Sequence, residues 1–475
     1  MDIKKKAIAG VKWTTLSTVA NFGSQLALVV ILARFLSPSD FGLMAIITVV
    51  IEFSMYFVDV GISNAIIHKQ EISEVQLSTI YFLNILTGTC VFIIVSLSAS
   101  MIASFYNQPV LTHLLVVTSV VFIINPIGQV HKSLLQKTFN FKTLTNIELV
   151  SRLFAFLVSV VLAFRNAGVY ALVGMVVTNS IVSTLLLSMS GRKLFKPQFV
   201  FRINEIKSLL KFGYFQMGER SLNYFAGQFD TILIGKILGS SPLGIYSMGK
   251  SLTQRPGQII LPIVTKVTFP YMARLQDDNE SLKNAYLTTI KYLSSINFPI
   301  YLGMMILAKP IVLLMFGERW NDAIMIVKIL AMFNIITSVF SPVGTLLLAK
   351  GRTDLGFYWN VGNAVITPVC IYIGSLWGIG GVAWSYLILY IVITVPFYRI
   401  LIKNLLDITW WEYHRVILLP FAISVIASII PFYLSMIIDN LIIQSALVIL
   451  SGSIFYALLT LKYNNSFFQA LKQFR

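Results

Sequence analysis

The stretch KFGYFQMGERSLNYFAGQFDTILIGKILGSSPLG, from Lys211 to Gly244, combines two properties that decide the fold of this chain. It is long and apolar enough to cross a bilayer, which requires about 20 helical residues. It also contains ionisable side chains, which are costly in hydrocarbon unless they face an internal or hydrated surface. The polar side chains in its centre are Glu219, Arg220, Asn223, Gln228 and Asp230. A membrane helix of this kind indicates a transport pathway along its polar face.

Composition extends this interpretation to the whole chain. Hydrophobic residues make up 57% of the 475 residues, charged residues make up 12%, and mean hydropathy is +0.81. A soluble domain does not have this balance, so we expect an all-α polytopic membrane protein. Hydropathy and polar breaks predict fourteen transmembrane helices. They cover residues 13–36, 41–66, 78–102, 111–131, 143–163, 168–190, 209–238, 242–268, 286–308, 323–349, 356–378, 380–402, 415–437 and 441–461.

The net charge of +17 is distributed as in a membrane protein. Lys and Arg concentrate at both termini and in alternate loops, with few on the other side, and this pattern places both termini in the cytoplasm. The basic run from Arg192 to Lys211 is then a topology determinant that contacts membrane lipids, and no nucleic-acid partner is expected.

Two internal matches indicate a duplication. Residues 32–43 align with residues 234–245 at an offset of 202, which pairs Gly42 with Gly244, and a second match has an offset of 213. The 11 extra residues predict a longer connection around residues 274–284. Each copy holds six spans, which predicts two pseudo-symmetric lobes with a site at their interface. The predicted domains are an N-terminal lobe (1–190), a basic cytoplasmic linker (191–208), a C-terminal lobe (209–402), and two C-terminal helices with a cytoplasmic tail (403–475).

Residues 244–251, GIYSMGKS, match the phosphate-binding pattern G-x-x-x-x-G-K-S/T. That motif requires a preceding strand, a following helix and a soluble sheet that holds both. Here it begins a predicted membrane span, so we disfavour an ATPase. Metal-ligand and nucleophile patterns with supporting context are also missing from the sequence, and we expect no metal, no cofactor and no enzyme.

Carboxylates share one face in each of two predicted spans. Glu52 and Asp59 are seven residues apart in the second span, and Glu219 and Asp230 are eleven apart in the seventh. Burial raises the pKa of a carboxyl group toward the range that suits proton or ion coupling. Structural pairing with a buried cation is an equally good interpretation of each of them.

Cations at membrane depth either reach the headgroups or face a cavity. We expect four cations and three neutral side chains of the first, fifth, seventh and eighth spans to bind substrate: Arg220, Lys250, Arg255, Arg152, Asn223, Asn21 and Gln25. Arg152 also follows Glu148 by four residues, in the order that favours an ion pair.

Three segments resemble a known family. Residues 218–252, GERSLNYFAGQFDTILIGKILGSSPLGIYSMGKSL, and residues 269–286, FPYMARLQDDNESLKNAY, are similar to Wzx-type flippases of the multidrug/oligosaccharidyl-lipid/polysaccharide superfamily, as is the opening at residues 10–45. The colanic-acid exporter group is the most similar. In this family the GER motif and the following Asp correspond to Gly218-Glu219-Arg220 and Asp230.

The resemblance implies that undecaprenyl-diphosphate-linked oligosaccharide is flipped across the bacterial inner membrane, by alternating access between the two lobes. A polysaccharide polymerase is an implied partner, and H+ or Na+ an implied coupling ion. An ion-coupled multidrug exporter of the same architecture is the alternative, although an aromatic, acidic pocket would suit it better than buried cations. A polymerase or ligase enzyme would need a large outward loop, which the predicted spans do not leave.

Overall fold

The computed structural model describes residues 23, 27–59, 66–67, 72–207, 217–218, 220–221, 224–225 and 227–464, and every regular element among them is helical. The chain divides into two compact units, Met1–Gly244 (unit 1) and Ile245–Arg475 (unit 2).

Unit 1 is a helical bundle. Its helices are α1 (residues 27–35), α2 (Pro38–Asp59), α3 (Glu74–Phe105), α4 (Val110–Ser119), α5 (Val121–Lys137), α6 (Phe141–Phe164), α7 (Tyr170–Gly191) and α8 (Phe229–Ile237). Helices α6 and α5 pack on α7, α4 and α5 pack on α3, and α8 packs on α2. Unit 1 also includes the first turn of α9 (Ser240–Arg274), which continues into unit 2.

Local capping explains where α2 begins. Its predicted start was residue 41, but the helix starts at Pro38. The Asp40 carboxylate accepts hydrogen bonds from the backbone nitrogen and the hydroxyl of Ser37, at 2.8 and 2.7 Å, while the Asp40 backbone nitrogen donates to the Ser37 hydroxyl at 3.3 Å. This reciprocal capping box, with proline at the first helical position, is a strong helix start.

Among its described residues, unit 2 contains the rest of α9 and eight further α-helices of seven or more residues. These are α10 (Asn279–Ile306), α11 (Ala308–Met315), α12 (Ala323–Phe340), α13 (Val343–Ala349), α14 (Thr353–Ser375), α15 (Gly378–Phe397), α16 (Trp410–Ile437) and α17 (Leu441–Tyr463). Helix α10 packs on α12 and α16, and α15 packs on α12 and α14. Aromatic side chains fill the core, where Phe340 and Phe397 stack with ring centroids 3.9 Å apart and Tyr286 and Tyr413 are buried.

The described residues agree with a polytopic membrane protein. Nine helical segments within them are long and apolar enough to cross a membrane, when α4 with α5 and α12 with α13 are each counted as one segment, and there are ten if α10 and α11 form one span bent by 69°. Each corresponds to one of the fourteen predicted spans. The first and seventh predicted spans lie partly outside the described residues. The eighth and eleventh correspond to α9 and α14, which are long enough to cross but carry more polar side chains.

The expected long connection at residues 274–284 is wrong. Helix α9 ends at Arg274 and α10 begins at Asn279, so only four residues separate them. The Asp278 carboxylate accepts hydrogen bonds from the backbone nitrogens of Glu280 and Ser281, at 3.1 Å each, and so caps α10. A polar segment that looks like a loop is therefore the first turn of a helix, because Asp at the N-cap satisfies its free amides.

Candidate functional site

The acidic face of α2 lies against the central stretch of the sequence. The rings of Tyr56 and Tyr224 have centroids 5.6 Å apart, and those of Phe53 and Phe225 are 6.0 Å apart. The Glu52 carboxylate lies beside the buried Tyr224 hydroxyl. Aromatic packing thus positions one of the predicted carboxylates next to the seventh span.

The other carboxylates of the prediction have different surroundings. Asp59 is half-buried near the end of α2, and Asp230 is 1% exposed in the first turn of α8. The Asp230 carboxylate accepts a hydrogen bond from the backbone nitrogen of Thr231 at 2.7 Å. A negative charge in this position is favoured by the helix dipole. Glu219 lies outside the described residues.

The predicted continuous helix 209–238 is interrupted. Gln228 lies in a turn, with φ −113° and ψ 7°, and α8 begins at the next residue. The Thr231 hydroxyl donates to the Gln228 side-chain oxygen at 3.1 Å. Asp230 therefore lies in the first turn of a helix that begins directly after this turn.

The predicted cations are distributed over both units. Arg220 is exposed and Arg152 is half-buried on α6 in unit 1, whereas Lys250 and Arg255 are half-buried on α9 in unit 2. The Arg255 guanidinium donates to the Ser251 hydroxyl at 3.3 Å. Because residues five apart on a helix point about 140° apart, Lys250 and Arg255 face different directions. The remaining predicted binding residues, Asn21, Gln25 and Asn223, lie outside the described residues.

Gly42 and Gly244, which the internal repeat aligns, each lie against the backbone of the segment that contains the other. A Cβ on Gly42 would overlap the carbonyl oxygen of Ser240, and a Cβ on Gly244 would overlap the carbonyl oxygen of Pro38. Pro38 and Ser240 are themselves 202 residues apart, so the contact is reciprocal about a local two-fold axis. The hydroxyls of Ser39 and Ser240 lie 2.7 Å apart at the same place. Glycine is required because no side chain fits between the two helices.

The phosphate-binding pattern at residues 244–251 lies inside α9. Its backbone amides belong to a continuous helix, and Gly249 packs against Ile326. A phosphate cradle needs free amides in a loop, so this segment does not form one. The described residues also contain no cluster of His, Cys, Asp or Glu that could hold a metal ion.

Sequence reasoning missed a polar cavity in unit 2. This cavity, which we call the α9–α10–α12 cavity, has a volume of about 390 Å3. Each helix contributes one face, with side chains three or four residues apart. They include Gln254 and Gln258 from α9, Asn297 and Tyr301 from α10, Asn334, Thr337 and Ser338 from α12, and Ser341 directly after α12. The helical spacing of Asn334, Thr337, Ser338 and Ser341 within an apolar predicted span was the signal that could have predicted it.

A second cavity of about 450 Å3 lies between α10, α11, α16 and α17. Its walls are mainly aliphatic, with a few hydroxyls such as Ser428, which donates to the Ser424 carbonyl at 2.7 Å.

Comparison with known proteins places the chain in a family. Residues 31–325 match the family described as polysaccharide biosynthesis protein. The chain is 32% identical over 442 residues to the lipopolysaccharide biosynthesis protein WzxC of Escherichia coli K12, covering 93% of this chain and 90% of that protein. It is also 32% identical over 473 residues to the teichuronic acid biosynthesis protein TuaB of Bacillus subtilis, covering 97% and 96%.

Solved structures give the fold. The lipid II flippase MurJ, in an inward closed conformation, superposes with a TM-score of 0.75 at 15% identity, covering 95% of this chain and 99% of MurJ. An inward-facing multidrug transporter of the MATE family superposes with a TM-score of 0.63, also at 15% identity, covering 83% and 94%. The chain therefore belongs to the family of polysaccharide biosynthesis proteins, which its similarity to WzxC and TuaB over nearly its whole length supports.

Proposed function

We propose that the protein flips undecaprenyl-diphosphate-linked oligosaccharide repeat units across the bacterial inner membrane, for capsule, exopolysaccharide or O-antigen synthesis. The observation that carries this proposal is the position of Lys250 and Arg255, half-buried on α9, in a member of this family. Cations at membrane depth are costly, and function is the usual reason that they are kept there.

The chemistry of the substrate fits these residues. A lipid-linked oligosaccharide has an anionic diphosphate, a polar glycan and a polyprenyl tail that stays in the lipid. Arg220, Arg255 and Arg152 offer bidentate hydrogen bonds to phosphate oxygens, and Lys250 offers a point charge. A hydrated cavity that these cations line would lower the cost of moving the diphosphate between leaflets, and alternating access would carry it across.

The carboxylates take a supporting part in this proposal. Glu52, Asp59, Glu219 and Asp230 balance the cations when no substrate is bound, or bind a coupling ion, H+ or Na+. The neutral amides Asn21, Gln25 and Asn223 would contact the glycan.

Membrane orientation follows from the basic loops. We propose that both termini face the cytoplasm, where the lipid-linked unit is made, and that the flipped unit is passed to a polysaccharide polymerase.

The multidrug exporter remains the second candidate, because the MATE fold is shared. Arg220→Ala separates the two. Loss of surface polysaccharide with unchanged drug resistance supports the flippase, and drug sensitivity with normal polysaccharide supports the exporter.

The decisive experiment is deletion of the gene, followed by analysis of lipid-linked intermediates in each leaflet. Repeat units should accumulate on the cytoplasmic side, and Lys250→Gln should fail to restore export. Lys266→Gln is the matched control, because Lys266 is an exposed lysine on the same helix. A deletion strain that exports normal polysaccharide without accumulation would show that the proposed function is wrong.

A further inference from the structure

The α9–α10–α12 cavity contains a buried acceptor that the described residues do not satisfy. Asn297 is 3% exposed and lines the cavity, and its Oδ1 has no hydrogen-bond partner in the described part of the chain. Buried amide oxygens are nearly always paired, so an unpaired one in a cavity wall indicates a ligand or water that completes it. The space exceeds that of a single water severalfold and lies within the usual range for small-molecule sites.

The wall is neutral and rich in acceptors. None of the described residues that line the cavity is charged. The Ser338 hydroxyl donates to the Ile335 carbonyl at 2.7 Å, and the Asn334 amide nitrogen donates to the Leu330 carbonyl at 2.7 Å. Because the Ser338 hydroxyl proton and one Asn334 amide proton are committed within α12, the oxygens of these two side chains can accept hydrogen bonds from a ligand in the cavity, and Asn334 keeps a second amide proton to donate. A ligand with several hydroxyl donors and no charge, such as a sugar, fits this wall.

The cavity also has a defined position relative to a proposed phosphate contact. Lys250, Gln254 and Gln258 follow one another at four-residue steps on one face of α9, about 6 Å apart along the axis. Gln254 and Gln258 line the cavity, and Lys250 lies one turn before it. A diphosphate at Lys250 would therefore place its attached sugar at the cavity.

The internal repeat shows that this feature is particular to the second copy. At the offset of 202, Gln254 corresponds to Glu52 and Gln258 corresponds to Tyr56. In the first copy that face packs against Tyr224, through the Tyr56 ring. An open neutral cavity is therefore not a consequence of the shared fold, since the matched positions hold an exposed carboxylate, Glu52, and a ring, Tyr56, that packs on Tyr224.

We infer that the α9–α10–α12 cavity binds the neutral sugar nearest the diphosphate of the lipid-linked oligosaccharide, and that it contributes to selection of the repeat unit. The inference rests on the proposed function, because it takes the diphosphate at Lys250 as its reference point. Asn297, Asn334 and Ser338 are the residues that would contact the sugar.

Binding to the purified full-length protein tests this inference. The probes are undecaprenyl diphosphate alone and undecaprenyl diphosphate carrying one glucose, galactose, N-acetylglucosamine or N-acetylgalactosamine. At least one sugar should increase wild-type affinity about tenfold over the bare lipid. Asn297→Leu and Ser338→Ala should lose that increase and keep the affinity for the bare lipid, whereas Lys250→Gln should weaken binding of every probe.

Controls separate a binding role from a structural one. Ser428→Ala, in the apolar cavity of the same unit, should keep the wild-type preference. Because Asn297→Leu removes an unsatisfied buried acceptor, it should not lower the thermal unfolding midpoint. The inference is overturned if no sugar increases affinity, or if Asn297→Leu keeps the preference. If the deletion strain accumulates lipid-linked units, either of these results contradicts the inference but not the proposed function. If the deletion strain does not accumulate them, both the proposed function and the inference are wrong.

Discussion

The reciprocal contact between Gly42 and Gly244 makes an unusual prediction about alanine substitutions. In Gly42→Ala the added Cβ meets the Ser240 carbonyl oxygen, and in Gly244→Ala it meets the Pro38 carbonyl oxygen. Both obstacles are backbone atoms, which cannot rotate away as a side chain can. The first turns of α2 and α9 must therefore move apart.

The expected change in the free energy of unfolding is the balance of two opposing effects. Overpacking costs about 1–3 kcal/mol, and alanine in place of glycine within a helix contributes about 1 kcal/mol of stability. Each single variant should then lose about 0–2 kcal/mol. Moving the two helices apart relieves both clashes at once. The double variant therefore incurs the overpacking cost once, but it has the stabilisation from alanine in both helices. We expect it to be as stable as either single variant or more stable, a coupling of roughly 1–3 kcal/mol.

Thermal unfolding of the purified protein measures these differences. Gly303→Ala is the control, because Gly303 lies inside α10 with no atom within 4 Å of an added Cβ, and it should raise the midpoint. If Gly42→Ala raises the midpoint as much as Gly303→Ala does, the helices are not in contact in solution. If the two losses simply add in the double variant, the reciprocal arrangement is wrong.

Two further predictions concern the same contact and one helix start. A variant with Ser39→Cys and Ser240→Cys, in which Cys90 and Cys370 are replaced by serine, should form a disulfide on oxidation, because the two hydroxyls are 2.7 Å apart. We expect this disulfide to stop polysaccharide export until a reductant is added. Continued export with the disulfide formed would show that the contact between Ser39 and Ser240 need not open during transport. Hydrogen bonds from the Ser281 side chain and backbone hold the pKa of Asp278 below its usual value of about 4, so its contribution to stability is complete above that pH and is lost as pH falls through the lower folded pKa. The midpoint difference between wild type and Asp278→Ala should accordingly shrink as pH is lowered below about 4, and a difference that does not change with pH would contradict this assignment.

Local patterns predicted the helices well where one physical cause dominated. Long apolar runs determined spans such as α3, α6 and α17, because the bilayer core requires that length of hydrocarbon-compatible helix. Local patterns gave a wrong prediction where a polar segment could be either a loop or the start of a helix. Residues 279–284 look like a loop by hydropathy, but the Asp278 cap makes them helical.

The candidate site was only partly visible in the sequence. The cations and carboxylates stand out because charges are rare in membrane spans. The α9–α10–α12 cavity was missed because its side chains are neutral and come from three helices that are far apart in sequence. The spacing of Asn334, Thr337, Ser338 and Ser341 indicated a polar face on α12, but it could not show what faced it.

The sequence by itself determined the membrane class and the family and predicted a duplication, because hydropathy and repeated motifs are properties of a single chain. It also aligned Gly42 with Gly244. Only the tertiary structure decided why those positions hold glycine, that Gln228 interrupts the seventh span, and that Asn297 faces a cavity. Contacts of this kind depend on distances between segments about 200 residues apart or between neighbouring helices, and packing sets those distances.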